Sequence, residues 1–172
     1  MKKTYLNWSI EETSLKGVKK IQIDTFKDFR GSYTEIYNKE FFNEKNIKVE
    51  FIQDDISVSK KNVLRGLHGD QKTWKLISCL YGEFQLIVVN NDPNSSQYKK
   101  WESFILSFDN KLQILIPPKF GNGHLVLSDS CIFHYKQNTQ YDRDGQFTIK
   151  WNDPSCNFKW MNNNPILSER DI

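Results

Sequence analysis

At 172 residues, 38% of them hydrophobic and 14% aromatic, the chain is long enough to bury one core and close to the length of one ordinary domain. A net charge of only +3, from 24 basic and 21 acidic residues spread through the sequence, argues against a protein that coats nucleic acid, while a local cationic pocket for a small anion stays open. The opening stretch MKKTYLNWSIEET has two lysines with no apolar run behind them, and no segment approaches the ~20 apolar residues of a membrane span, so a cytoplasmic location without membrane contact is expected.

In chain order, short apolar runs separated by Gly, Pro, Asn and Asp predict strands over residues 19–23, 32–37, 51–57, 74–80, 83–90, 102–107, 112–116, 124–127, 131–136 and 147–151. One helix is predicted over residues 38–45, NKEFFNEK, with Asn38 as its N-cap. Turns fall at Tyr81-Gly82, at residues 90–96 and at the DRDG of residues 142–145. Many short strands, one short helix and no linker or repeat predict an all-β antiparallel sandwich or barrel as a single domain over residues 1–172. In residues 51–57, Gln53 and Asp55 share a face opposite Ile52 and Ile56; with the aliphatic face in the core, the polar face meets solvent or a polar cavity. In residues 131–136, His134 points away from Phe133 and Tyr135, which predicts a solvated side chain. Cys79, Cys131 and Cys156 lack CxxC spacing and are expected as free thiols, the first two buried within apolar runs.

The stretch LRGLHGDQKTWKL, residues 64–76, sets His68 between two glycines with Arg65, Asp70, Lys72 and Lys75 close by. On a regular strand Arg65 and His68 face opposite sides, so they line one pocket only if the chain kinks between them, and Gly66 permits that through a bulge or a positive φ. Such a cluster around a hinged His reads as a site; a metal site in a β-barrel usually wants two or three His and a carboxylate, often as His-x-His. The chain has three His in all, none at that spacing, so metal-free chemistry is the better expectation.

These residues then carry a resemblance. RGSYTE (30–35), FIQDDISVSKKNVLRGLHGD (51–70), KLISCLYGEF (75–84), IPPKFGNGH (116–124), FHYKQNTQYD (133–142), WNDP (151–154) and LSERD (167–171) follow the order and spacing of the dTDP-4-dehydrorhamnose 3,5-epimerase family, over nearly the whole chain. The resemblance implies a cupin-type β jelly roll with one or two short helices, a homodimer with N-terminal strands exchanged across the interface, and no cofactor. It implies an epimerase that inverts carbons beside the ketone of a nucleotide-linked 4-keto sugar. By resemblance His68 is the base, Asp171 orients it, Tyr141 is the acid and Lys75 stabilises the enolate oxygen. Arg65 matches a pocket arginine, Arg30 one that reaches the diphosphate, and Glu35 and Gln53 further substrate contacts.

Three departures stand out. The family's GFAHGF is here KFGNGH, so Asn122 replaces a pocket His and His124 an aromatic residue; QDN becomes QDD, placing Asp55 where an amide usually sits. After RGLH, Gly69 and Asp70 replace an aromatic residue and Gln, which is expected to open space beside the base. The combination is similar to the branch acting on GDP-linked 4-keto heptoses in capsular polysaccharide biosynthesis, with the dTDP-rhamnose epimerase as alternative. A 3,4-ketoisomerase of the same barrel, a sugar-binding cupin and a metal-dependent dioxygenase-type cupin are the rivals.

Overall fold

A computed structural model of the chain describes residues 7–172; residues 1–6, with the two lysines considered above, lie outside the described part. The described residues form thirteen strands and one short helix: β1 (Ser9–Glu12), β2 (Lys19–Gln22), β3 (Phe26–Asp28), β4 (Gly31–Tyr33), α1 (Lys39–Glu44), β5 (Gln53–Lys60), β6 (Leu64–Gly69), β7 (Lys75–Tyr81), β8 (Glu83–Asn90), β9 (Trp101–Ser107), β10 (Leu112–Ile116), β11 (Phe120–Val126), β12 (Ser130–Gln137) and β13 (Phe147–Thr148). A six-stranded sheet in the order β1-β2-β10-β7-β12-β5 packs on a five-stranded sheet in the order β13-β6-β11-β8-β9, and β3 and β4 make a separate two-stranded sheet. All strand pairings are antiparallel. The architecture is the expected β-sandwich, and β2 pairs with this chain's own β10 and carries β1 on its other edge.

Three apolar clusters hold the layers. Between the sheets, Ile77 and Cys79 of β7, Phe84 and Leu86 of β8, Leu106 of β9 and Phe133 of β12 interdigitate. On the outer face of the larger sheet, Phe41 and Phe42 of α1 pack with Trp8, Ile21, Leu76 and Leu115. On the outer face of the smaller sheet, Leu64, Leu67, Ile87 and Leu125 are covered by Cys156 and Trp160 of the C-terminal segment. Each fully buried Leu, Ile or Phe contributes roughly 1.5–3 kcal/mol. Helix α1 begins as predicted, with Asn38 Oδ1 accepting the Phe41 backbone N–H at 3.1 Å.

Two expectations are corrected. On β5 the aliphatic face is the outer one: Ile52, Ile56 and Val58 are exposed, and Asp55 and Ser57 point between the sheets. His134 is buried, not solvated, because its outward-facing ring is held by Asp54, whose Oδ1 stands 2.8 Å from Nε2 and also accepts from Lys136 Nζ at 2.7 Å. Cys79, Cys131 and Cys156 are free and buried.

Candidate active site

The two sheets separate at one end to leave a cavity of about 490 Å³, bounded by β5, β7 and β12 on one side and by β6 and β11 on the other. Its geometry starts at Gly66. In the pairing of β6 with β11, Asn122 opposes His68 and His124 opposes Arg65, so β6 carries one residue more than its partner across this step. Gly66 sits there at φ +116°, and a Cβ would lie 2.6 Å from Gly123 Cα and 2.7 Å from the Asn122 carbonyl oxygen. Only glycine fits, in conformation and in space. Arg65 and His68 consequently both line the cavity, as the hinge argument requires.

The C-terminal segment delivers Asp171 to His68. Ile166 bonds to β6 and its neighbour on both sides, accepting from Leu64 N–H at 3.0 Å and donating to the Asn62 carbonyl at 2.8 Å. This clamp carries Asp171 into the interior, with one oxygen 2.8 Å from His68 Nε2. That contact is ion-pair close though off the in-line direction of a full hydrogen bond. The other oxygen accepts from Ser168 Oγ at 2.8 Å. Burial pushes the Asp171 carboxyl up, but His68, Ser168 and the Gly66 N–H together hold it below the usual range, so it stays ionised beside the imidazole.

Lys75, the first residue of β7, projects into the same cavity and is buried. Its Nζ donates to Asn122 Oδ1 at 3.2 Å. Burial lowers its pKa to about 8, with Asp70 opposing and Arg170 adding to the shift. Facing β6 across the cavity, Tyr135 of β12 is pushed up by burial and by neighbouring Asp55, so its phenol stays protonated. Tyr141 also lines the cavity, from the loop after β12; it is 47% exposed, with its backbone N–H bonded to Gln53 Oε1 at 2.9 Å.

Of the residues singled out in the sequence, the fold therefore brings together His68, Asp171, Lys75, Tyr141, Arg65, Asp55, Asn122 and His124. Gln53 stays behind the wall, where its amide bridges Asp55 and the Tyr141 loop. Gly69 opens no space beside the base: a Cβ there would meet the Phe120 carbonyl oxygen at 2.1 Å and the Phe147 ring at 2.7 Å, so Phe147 fills that side. Asp70 caps the turn into β7 through the backbone N–H groups of Lys72 and Thr73. Arg30 lies outside this cavity on the β3–β4 hairpin, paired with Asp28, and Glu35 accepts from Asn38 Nδ2 at 2.9 Å. Sequence reasoning missed Tyr135, Arg143, Gln146, Ser168 and Arg170 in the lining. Arg170 was visible as the neighbour of Asp171, and Arg143 was hidden in a segment read only as a turn. Among the described residues no three His, Cys, Asp or Glu side chains converge as a metal site would require.

The sequence profile of the dTDP-4-dehydrorhamnose 3,5-epimerase family matches residues 12–172. The chain belongs to this family. A dTDP-4-dehydrorhamnose 3,5-epimerase of Shigella flexneri is 38% identical over 168 residues, 95% of this chain and 93% of that one. Another, of Methanothermobacter thermautotrophicus, is 36% identical over 165 residues, 93% and 89% of the two chains. Among solved structures, the dTDP-6-deoxy-D-glucose-3,5-epimerase of Legionella pneumophila, in complex with dTDP-4-keto-L-rhamnose, superposes with a TM-score of 0.91 at 34% identity, covering 95% of this chain and 89% of that one. As a dTDP-4-dehydrorhamnose 3,5-epimerase family member the protein is an isomerase, a nucleotide-sugar epimerase. The names of all three relatives specify a dTDP-linked sugar, where the three departures in the sequence pointed to a GDP-linked one.

Proposed function

We propose that the protein inverts C3 and C5 of dTDP-4-dehydro-6-deoxyglucose, giving dTDP-4-dehydrorhamnose without a cofactor. The observation that carries this reading is the opposition across one cavity: the His68–Asp171 pair on the smaller sheet's side, Lys75 and Tyr135 on the larger. Inversion of a carbon beside a ketone needs a base on one face, an acid on the other and a charge stabiliser at the carbonyl oxygen. The His68 ring nitrogen that does not face Asp171 takes the proton, the C–H electron pair moves into the new C–C double bond, and the carbonyl oxygen becomes an enolate. Asp171 balances the imidazolium so formed, and the Lys75 ammonium offsets the enolate charge in a water-poor pocket. A tyrosine then returns a proton to the opposite face as the carbonyl reforms.

Two tyrosines compete for that last step. We assign it to Tyr135 in preference to Tyr141. Tyr135 stands on a strand hydrogen-bonded on both edges and keeps its proton, whereas Tyr141 belongs to an exposed loop. Groups on rigid strands hold reacting geometry better than groups on loops. Arg65, Arg143 and Arg170 line the cavity as cations suited to the nucleotide's diphosphate.

We further propose a homodimer in which the β3–β4 hairpin of each copy reaches the other's cavity. Phe29 at its tip is 97% exposed, Phe26 and Tyr33 are exposed beside it, and Arg30 is presented there. Apolar exposure on this scale on a small hairpin is a binding surface in want of a partner.

A GDP-linked 4-keto heptose is the second reading. It is favoured by Asn122, one of the three departures in the sequence, which bonds to Lys75. Incubation in D₂O with each 4-keto sugar decides between them. Deuterium at C3 and C5 of the dTDP sugar is the expected result, and label only in the GDP sugar transfers the assignment. No label in either sinks the epimerase reading in favour of a binding protein, and migration of the carbonyl to C3 favours the ketoisomerase.

A further inference from the structure

His124 is a cavity-lining side chain whose chemistry the mechanism above leaves unused. It lies on β11, is 3% exposed, and is stacked on Phe133 with ring centroids 4.1 Å apart and planes 7° from parallel. Phe84 packs against it at 5.3 Å. The ring is therefore fixed in orientation. Yet its Nε2 is buried with no hydrogen-bond partner. Buried polar atoms in native proteins are nearly always paired, and one left bare bears the whole loss of its hydration. A relative with an apolar aromatic ring at this position has no such atom to satisfy.

The surroundings say what the missing partner is. Burial, reinforced by Arg65 and only partly opposed by Asp171, lowers the pKa of His124 to about 3, so the ring is neutral. A neutral imidazole offers one N–H donor and one acceptor nitrogen, which matches an alcohol. It suits a phosphate poorly, and Arg65, Arg143 and Arg170 already line the cavity for that purpose. We propose that His124 is a specificity-determining residue, hydrogen-bonding a hydroxyl of the sugar that occupies the cavity. A site built to bond a hydroxyl discriminates strongly against ligands lacking it, whereas an apolar ring is indifferent. The inference rests on the cavity being the sugar-nucleotide site.

The test is calorimetric and uses unreactive ligands: dTDP, dTDP-glucose, GDP and GDP-mannose. His124→Phe keeps a flat ring without polar atoms, and His124→Gln keeps a donor and an acceptor. His124→Phe is expected to weaken binding of the hexose conjugate about ten- to a hundredfold while leaving the matching free nucleotide unchanged. His124→Gln is expected to recover most of the loss. Because His124 does not titrate near neutrality, the wild-type to Phe ratio is expected to stay constant between pH 6 and pH 9. Unchanged hexose-conjugate binding in His124→Phe overturns the inference and leaves the epimerase reading standing. So does an equal loss for conjugate and free nucleotide, which marks a merely structural role. Wild-type protein that binds neither conjugate overturns both.

Discussion

Lys75 concentrates the conflict between stability and chemistry in a single side chain. Its folded pKa of about 8 lies below the 10.5 of a free lysine. Below pH 8 both folded and unfolded chains hold the proton, and the full penalty of burying an ammonium is present. Between pH 8 and 10.5 the unfolded chain holds more protons than the folded one, so Lys75's contribution to stability rises with pH across that window. In the mechanism proposed above, activity runs the other way, since the neutral amine would no longer offset the enolate. We expect kcat/KM to fall along an alkaline limb near pH 8, and Lys75→Met to lose that limb, most of its turnover, and none of its stability. Its Tm at pH 7 is expected to rise by a few degrees; a lowered Tm would mean that the bond to Asn122 outweighs the desolvation. Loss of the base in His68→Asn is expected to reduce exchange at both carbons by about 10²–10⁴-fold. Of the two tyrosines, Tyr135→Phe is expected to retain proton removal, seen as label uptake, while blocking inversion, and Tyr141→Phe to lower turnover only modestly. The reverse pattern returns the acid role to Tyr141.

Among the elements, β6 shows how far sequence alone reaches. That Gly66 hinges the strand was legible because Arg65 and His68 have opposite parity on a regular strand and share a pocket only through an irregularity. What the hinge packs against was not, since the backbone of β11 that excludes a Cβ at Gly66 is far away in sequence. Gly66→Ala is accordingly expected to destabilise the fold by about 3 kcal/mol or more, with activity lost, as followed by denaturant unfolding. The strands of alternating or wholly apolar pattern, β8 and β10, were predicted to the residue, and β12 to within one residue at each end. Strand β11 was predicted only from His124 onward because Gly121 and Gly123 carry no side-chain pattern; the sheet needs them for close approach to Val89 and Leu67. Likewise β1 and β3 are short, with one apolar side chain each, Ile10 and Phe26, so periodicity gives no sign of them. For the site, the motif residues were readable one by one. The contributions of Arg143 and Arg170 were not, because only the clamp of Ile166 onto β6 and the loop after β12 bring them round to the cavity.

At the scale of the whole molecule, both layers of the sandwich line the cavity, and the β3–β4 hairpin lies outside both. If each hairpin serves the other copy, the active unit is a dimer with two composite sites. Sedimentation is expected to give twice the 20.4 kDa mass of the chain. Mixing two inactive variants, His68→Asn and Arg30→Ala, is then expected to restore up to about a quarter of wild-type activity, through heterodimers having one intact site of two. No recovery on mixing would confine each site to a single chain. Specific activity is also expected to fall on dilution, because dissociation removes the hairpin from the cavity it completes.

Strand β5 carries a consequence of its own. It is the edge of the larger sheet, with Asp55 and Ser57 facing inward and Ile52, Ile56 and Val58 facing out. The hydrophobic effect acting on an isolated chain favours the opposite arrangement, and a slip of one residue against β12 would deliver it, turning every side chain of the strand over. Such a chain would be compact and folded, with isoleucines in place of the polar cavity wall of Asp55 and Ser57. The correct register is held by ties to the neighbouring strand, Asp54 being locked to His134 and Lys136 of β12. If a second copy covers the exposed aliphatic row, assembly would act as a proofreader of strand register, and the species most prone to aggregate would be the lone subunit.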